Sequence, residues 1–114
     1  MDNSTAIETL SALAQDTRLQ VYRLLIEFGD SGAPAGLLSE ELDIPHNTLS
    51  FHLSHLDRAG LVCSQKQGRS VIYRANPTAV IHLIDYLNAN CCIRDAGPSA
   101  DCRPTHENRQ RGLS

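Results

Sequence analysis

The chemistry open to this chain is concentrated in its sulfurs and imidazoles. Four cysteines (Cys63, Cys91, Cys92 and Cys102) and five histidines occur in 114 residues. The opening MDNSTAIETL carries two acids and no basic stretch, so a secretory leader is not expected. No apolar run approaches the roughly 20 residues of a membrane span. A cytoplasmic location is therefore expected, where cysteines are reduced ligands or reactive thiols rather than disulfides. The adjacent pair Cys91-Cys92 is also a poor start for a disulfide framework. Soft thiolates select soft ions, so reduced cysteines are candidate ligands for a thiophilic ion. Three alternatives stand beside that reading. Cys102-x3-His106 would complete a Cys3His tetrahedron suited to zinc, cadmium or lead. Cys91 or Cys92 could instead be oxidised or pair with Cys102 in a thiol-redox sensor. The thiols could also be idle.

The remaining candidates carry less. Cys63 falls in a strand, where it is read as a core-facing, inert small hydrophobe. His52 and His55, three apart, suit packing and phosphate contact better than metal binding. An enzyme such as a thiol oxidoreductase would need a nucleophilic cysteine at a loop leading into a helix N-terminus, and the sequence offers none. A protein-binding adaptor would show no salt-dependent DNA binding.

The elements that must position these groups follow from periodicity. At this length one domain is expected, burying roughly 65% of its unfolded surface. With two Phe, three Tyr and no Trp, its core must be built from Leu, Ile, Val and Ala. A first helix is predicted over Ser4 to Ala14, with Ile7, Leu10 and Ala14 on one stripe. Asp16 is the expected N-cap of a second helix that turns Leu19, Tyr22, Leu25 and Ile26 inward and ends at Gly29. Gly29 to Pro34 is loop on composition. A short helix over Ala35 to Leu42 is broken at Asp43-Ile44-Pro45, since a residue before proline is pushed out of the helical region. A fourth helix then runs from His46 to Ala59 and stops at Gly60. Two short helices across such a break make a helix-turn-helix.

Leu61 to Lys66 and Ser70 to Ala75 read as paired strands about the turn Gln67-Gly68-Arg69. A hairpin in that place is the wing of a winged helix. Pro77 opens a fifth helix, where a missing N–H is harmless. Its Val80, Ile81, Leu83, Ile84 and Leu87 are apolar over more than one stripe, which calls for two partners, its own domain and another chain. The expected fold is mainly α with a β-hairpin wing, a homodimeric winged helix-turn-helix. Residues 1–90 form the DNA-binding and dimerisation domain, and residues 91–114 a polar, cysteine-containing tail, flexible unless tied down.

Charge is divided along the chain in a matching way. Between Pro45 and Asn76, Arg58, Lys66, Arg69 and Arg74 face Asp57 alone, a net +3. The total is −3, so the rest carries −6. A localised basic surface on an acidic protein suits double-stranded DNA. On a 100° wheel, Leu49, Leu53 and Leu56 share the inner face of the fourth helix, with His52 at its edge. Asn47, Ser50, Phe51, Ser54, His55 and Arg58 cluster opposite, flanked by Thr48. Small hydrogen-bonding side chains there suit base edges in the major groove. Phe51 is the odd member, with two possible homes: against thymine methyls, or packed under the wing. Lys66, Arg69 and Arg74 on the hairpin are placed for phosphates or an adjacent minor groove.

These residues carry a resemblance. Over roughly residues 5 to 92 the chain resembles the ArsR/SmtB family of homodimeric winged-helix metalloregulatory repressors. The likeness lies in LAQDTRLQVYRLL, LSEELDIPHNTLSFHLSHLDRAGLV and QKQGRSVIYRA, and in the order of elements. YLNANCC looks like the end of the fifth helix in an arsenic-responsive branch. The resemblance implies a dimer formed through the first and fifth helices. It would repress a resistance operon and leave its operator when the inducer binds. It also implies arsenite, As(III), as inducer, with antimonite or methylated trivalent arsenicals as variants. The founding arsenic-responsive members carry Cys-x-Cys in the helix before the recognition helix, whereas Leu38-Ser39-Glu40-Glu41-Leu42 has none. His82 and Asp85 are too few for the zinc site some members place on the fifth helix. That leaves Cys91, Cys92 and Cys102, a set suited to trivalent arsenic, which prefers three thiolates in a pyramid. Adjacent helical side chains diverge by about 100°, so Cys91 and Cys92 can converge only if the helix ends there.

Overall fold

The structure, a computed structural model, describes residues 1–97. It contains helices α1 (Asn3–Leu13), α2 (Asp16–Phe28), α3 (Ala35–Leu42), α4 (His46–Arg58) and α5 (Pro77–Asn88). Strands β1 (Ala33–Pro34), β2 (Val62–Gln67) and β3 (Ser70–Ala75) form an antiparallel sheet in the order β1-β3-β2. This is a winged helix-turn-helix. None of its described helices is long and apolar enough to cross a membrane.

The core is aliphatic. Val21 and Leu25 from α2, Leu38 from α3, Leu49, Leu53 and Leu56 from α4, and Leu61 and Val62 leading into the wing are essentially buried. The α3–α4 corner is tight because Asp43 takes a left-handed conformation (φ 54°) and the Ser39 hydroxyl donates to the Ile44 carbonyl. That conformation is one that Asp tolerates better than most residues. The wing closes through a two-residue loop, Gly68-Arg69, between the paired Gln67 and Ser70. Gly68 supplies the positive φ (62°) that its first position uses.

Several expectations are corrected. In α1 the buried residues are Ala6, Thr9 and Ala12, while Ile7 and Leu10 are exposed. Small residues let α1 approach its neighbours closely, and the bulkier stripe is turned outward. In α2, Val21, Tyr22 and Leu25 point inward, but Leu19 and Ile26 do not. Gln15, not Asp16, caps α2, because extended Gln15 folds its side chain back to accept from Arg18 N–H at 2.8 Å. The segment read as a plain loop holds a 3-10 turn (Gly29–Ser31) and β1, whose Ala33 and Pro34 pair with Tyr73 and Ile72 of β3. Gly32 permits this approach: a Cβ there would lie 2.4 Å from the Tyr73 carbonyl oxygen. Cys63 faces solvent rather than the core. The strand begins after Leu61, whose N–H still bonds back to Leu56, so Val62 takes the inward position and Cys63 the outward one.

Candidate DNA interface and thiol pair

Helix α4 is polarised as its wheel requires. Leu49, Leu53 and Leu56 seal its inner side, and Asn47, Thr48, Ser50, Phe51 and Ser54 are exposed. Asn47 spends its Oδ1 accepting from Thr48 N–H at 2.9 Å, which leaves its amide NH2 free to donate outward. Phe51 is 60% exposed, so the wing does not cover it. Its ring stands edge-on to His52 and His55, with centroids 5.5 and 6.4 Å away.

The two histidines form the seam between α4 and the rest of the domain. His52 is buried and His55 half-buried, and the Nδ1 atom of each is buried with no hydrogen-bond partner among the described residues. Burial, then the nearby Arg18 guanidinium, then His55 hold the His52 imidazole below its ordinary pKa. Burial, Arg18 and Arg58 do the same to His55. Both are therefore biased toward the neutral ring at neutral pH.

The wing's cations divide into two kinds. Lys66 and Arg69 are exposed near the tip. Arg74 is half-buried and already committed, donating from Nε to the Asp30 carbonyl at 2.8 Å and from Nη2 to Gln65 Oε1 at 2.6 Å. It braces the wing against the turn after α2 as much as it offers charge.

The thiol pair lies just past α5. The helix ends at Asn88, and Asn90 (φ 64°) and Cys92 (φ 69°) take left-handed conformations. This departure from helical geometry brings Cys91 Sγ to 2.8 Å from Cys92 Sγ, with both residues exposed. The contact with Cys91 raises the Cys92 thiol pKa above its ordinary value. Among the described residues no three metal-ligating side chains converge. Cys102 and His106, which the three-thiolate and Cys3His sets require, lie outside the described residues. His82 and Asp85 share a shallow pocket with Met1 and Tyr86 rather than forming a metal cluster.

Comparison with known proteins bears on this arrangement. A helix-turn-helix domain family model matches residues 13–64. The transcriptional activator HlyU of Vibrio cholerae is 33% identical over 80% of this chain and 82% of its own. The arsenical resistance operon repressor of Escherichia coli is 37% identical over 62% of this chain and 59% of the repressor. An ArsR-like transcriptional regulator from a Rhodococcus species superposes with a TM-score of 0.66, at 28% identity over 75% of this chain and 77% of that one. The chain belongs to the ArsR/SmtB family of winged-helix transcriptional regulators.

Two structural residues in this ArsR/SmtB chain escaped the sequence reading. Arg18, buried, donates from Nε to the Ala12 carbonyl at 2.7 Å and from Nη2 to the Ser11 carbonyl at 3.4 Å. It caps the C-terminal end of α1 from α2, a role fixed by a crossing of helices that no local pattern encodes. Asn76 bridges the wing's exit to the end of α4, its Nδ2 donating to the Gly60 carbonyl at 3.0 Å. An Asn immediately before Pro77 at a strand end was the available signal.

Proposed function

We propose that this ArsR/SmtB regulator binds operator DNA as a homodimer and is a metalloid-responsive repressor. In this reading Cys91 and Cys92, with Cys102 as third thiolate, capture a soft trivalent ion and the protein leaves its operator. The observation that carries the sensing half is the 2.8 Å approach of two exposed sulfurs at the end of α5. As each thiol proton leaves with an arsenite or antimonite hydroxide as water, two neighbouring sulfurs can chelate the trivalent ion, and soft ligands of this kind discriminate against hard ions. Methylated trivalent arsenicals, with fewer bonding positions, would need only the pair. The Escherichia coli relative, an arsenical resistance operon repressor, supports the same inducer class.

The lever is α5. Only Leu83 on this helix is fully buried, while Ile81, Ile84 and Leu87 are exposed, as are Ile7 and Leu10 on α1, which packs beside it. An apolar surface of this kind marks an association site, and a second copy meeting it through α1 and α5 is the proposed dimer. Ordering the segment that holds Cys91 and Cys92 then acts on the helix that sets the separation of two recognition helices. That separation must match half-sites about 34 Å apart. A coupling of about 1–3 kcal/mol suffices for regulation.

A second reading rests on the same contact. Two thiols this close could form a disulfide when an oxidant accepts their two electrons and two protons, giving a redox-responsive regulator. The deciding experiment is fluorescence anisotropy of the operator complex titrated with arsenite, antimonite, zinc, cadmium and peroxide. Release by arsenite at the lowest concentration, abolished in Cys91→Ser and Cys92→Ser with DNA affinity intact, is the expected result. Release by peroxide alone would select the redox reading, and release by zinc or cadmium alone a Cys3His site. A reporter fused to the operator distinguishes repression from activation, the role named for HlyU.

A further inference from the structure

We infer that Phe51 determines sequence specificity by reading the 5-methyl group of one thymine in each operator half-site. The inference rests on the DNA-binding reading above and narrows it to a particular base. Every leucine of α4 is buried, yet Phe51, the helix's one other large apolar residue, is 60% exposed. Its surroundings on that face are the exposed Asn47, Ser50 and Ser54, all small and polar. The longer Phe51 side chain therefore reaches beyond them.

The ring is also held in place. Its planes meet those of His52 and His55 at 69° and 84°, edge-on arrangements that aromatic pairs favour. His52 is only 8% exposed, so the ring stands on a fixed floor rather than a mobile one. A ring ordered before binding loses little rotamer freedom when it docks. A phenyl group neither donates nor accepts a hydrogen bond, so it cannot read the donor and acceptor pattern of a base edge. The thymine methyl is the one apolar group that the four standard bases present in the major groove. Burying the exposed part of Phe51 against that methyl removes apolar surface from water on both partners.

The test uses the full chain and operators that it selects for itself from randomised duplexes. In the enriched sequence each thymine is replaced singly by uracil, which deletes the methyl and preserves every hydrogen-bonding group. Affinities are read by anisotropy for the parent, Phe51→Ala and Phe51→Leu. One thymine per half-site should cost the parent about fourfold in affinity on losing its methyl, or about fifteenfold when both half-sites are changed. Phe51→Ala should discriminate less than about twofold at that position while keeping any preference at others. Phe51→Leu, still apolar, should retain most of it. Equal affinity of the parent for uracil at every position would overturn the inference, as would unaltered discrimination by Phe51→Ala. Failure to enrich any sequence would overturn the DNA-binding reading itself, and this inference with it.

Discussion

Helices α4 and α5 are both amphipathic, but among the described residues only α4 has its apolar stripe fully covered. Helix α4 buries all three of its leucines and shows solvent a polar face with one phenyl ring. Helix α5 buries Leu83 at 5% exposure and leaves Leu87 at 59%, with Ile81 and Ile84 similarly bare. A helix completed by its own domain is held in one place. A helix completed by a second molecule can be displaced by whatever alters that contact. In the proposed reading DNA contact therefore sits on the rigid element, and the thiols sit at the end of the adjustable one.

Substitutions should separate the two regions sharply. Leu53→Ala removes a fully enclosed side chain of α4 and should lower unfolding free energy by about 3 kcal/mol in urea titrations. A loss under 1 kcal/mol would mean that the α4 core is not close-packed. Ile84→Asp should leave the circular dichroism of the fold in place and yield monomers in analytical ultracentrifugation. Its operator affinity should drop about a hundredfold, since half of a two-site contact is lost. A stable dimer with Ile84→Asp would move the interface elsewhere.

Smaller effects are expected at the wing and the sulfurs. Lys66→Ala and Arg69→Ala should each weaken operator binding a few-fold and reduce the slope of log affinity against log salt by about 1. Arg74→Ala should alter that slope less than either, because its guanidinium is already bonded to Asp30 and Gln65. Equal slopes for all three would remove that distinction. The smallest effect is at Cys92, whose raised pKa arises mainly from Cys91. A raised pKa means less thiolate at a given pH, so Cys91→Ala should speed alkylation of Cys92 by iodoacetamide at pH 8 by about twofold. An unchanged rate would show that the sulfurs do not interact in solution.

The histidine seam gives a pH dependence of definite sign. His52 and His55 are held below the ordinary value in the folded state, so the unfolded chain binds protons first as pH falls. Their contribution to stability is present above about pH 6.5 and is lost as pH drops toward the folded values. Titration of both imidazoles by NMR should give midpoints below 6.5, and midpoints above it would reverse the argument.

Much of the architecture was legible because it depends on neighbours in sequence. The α3 limits, Ala35 and Leu42, follow from a proline on each side, and β3 and the start of α5 from Ser70 and Pro77. The buried stripe Leu49-Leu53-Leu56 follows from helical spacing alone. The inner face of α1 did not, because hydrophobicity cannot tell a stripe facing its own domain from one left exposed on it. Ile7 and Leu10 satisfied the pattern, while Ala6, Thr9 and Ala12 satisfied the packing. Strand β1 was missed for a different reason: two residues are too few to show alternation, and Ala33 and Pro34 become a strand only when Tyr73 and Ile72 arrive beside them.

The sequence by itself determined the helix-turn-helix, the wing, the basic segment on an acidic chain and the presence of vicinal cysteines. Each is a matter of residue type and short-range spacing, which backbone sterics and side-chain periodicity convert directly into local structure. Tertiary structure alone decided that Phe51 stays uncovered by the wing, that Arg74 is tied down and that Cys63 faces out. Those outcomes depend on which surfaces the crossing of helices and the docking of the wing leave available, quantities set by the whole packed domain and not by any window of it.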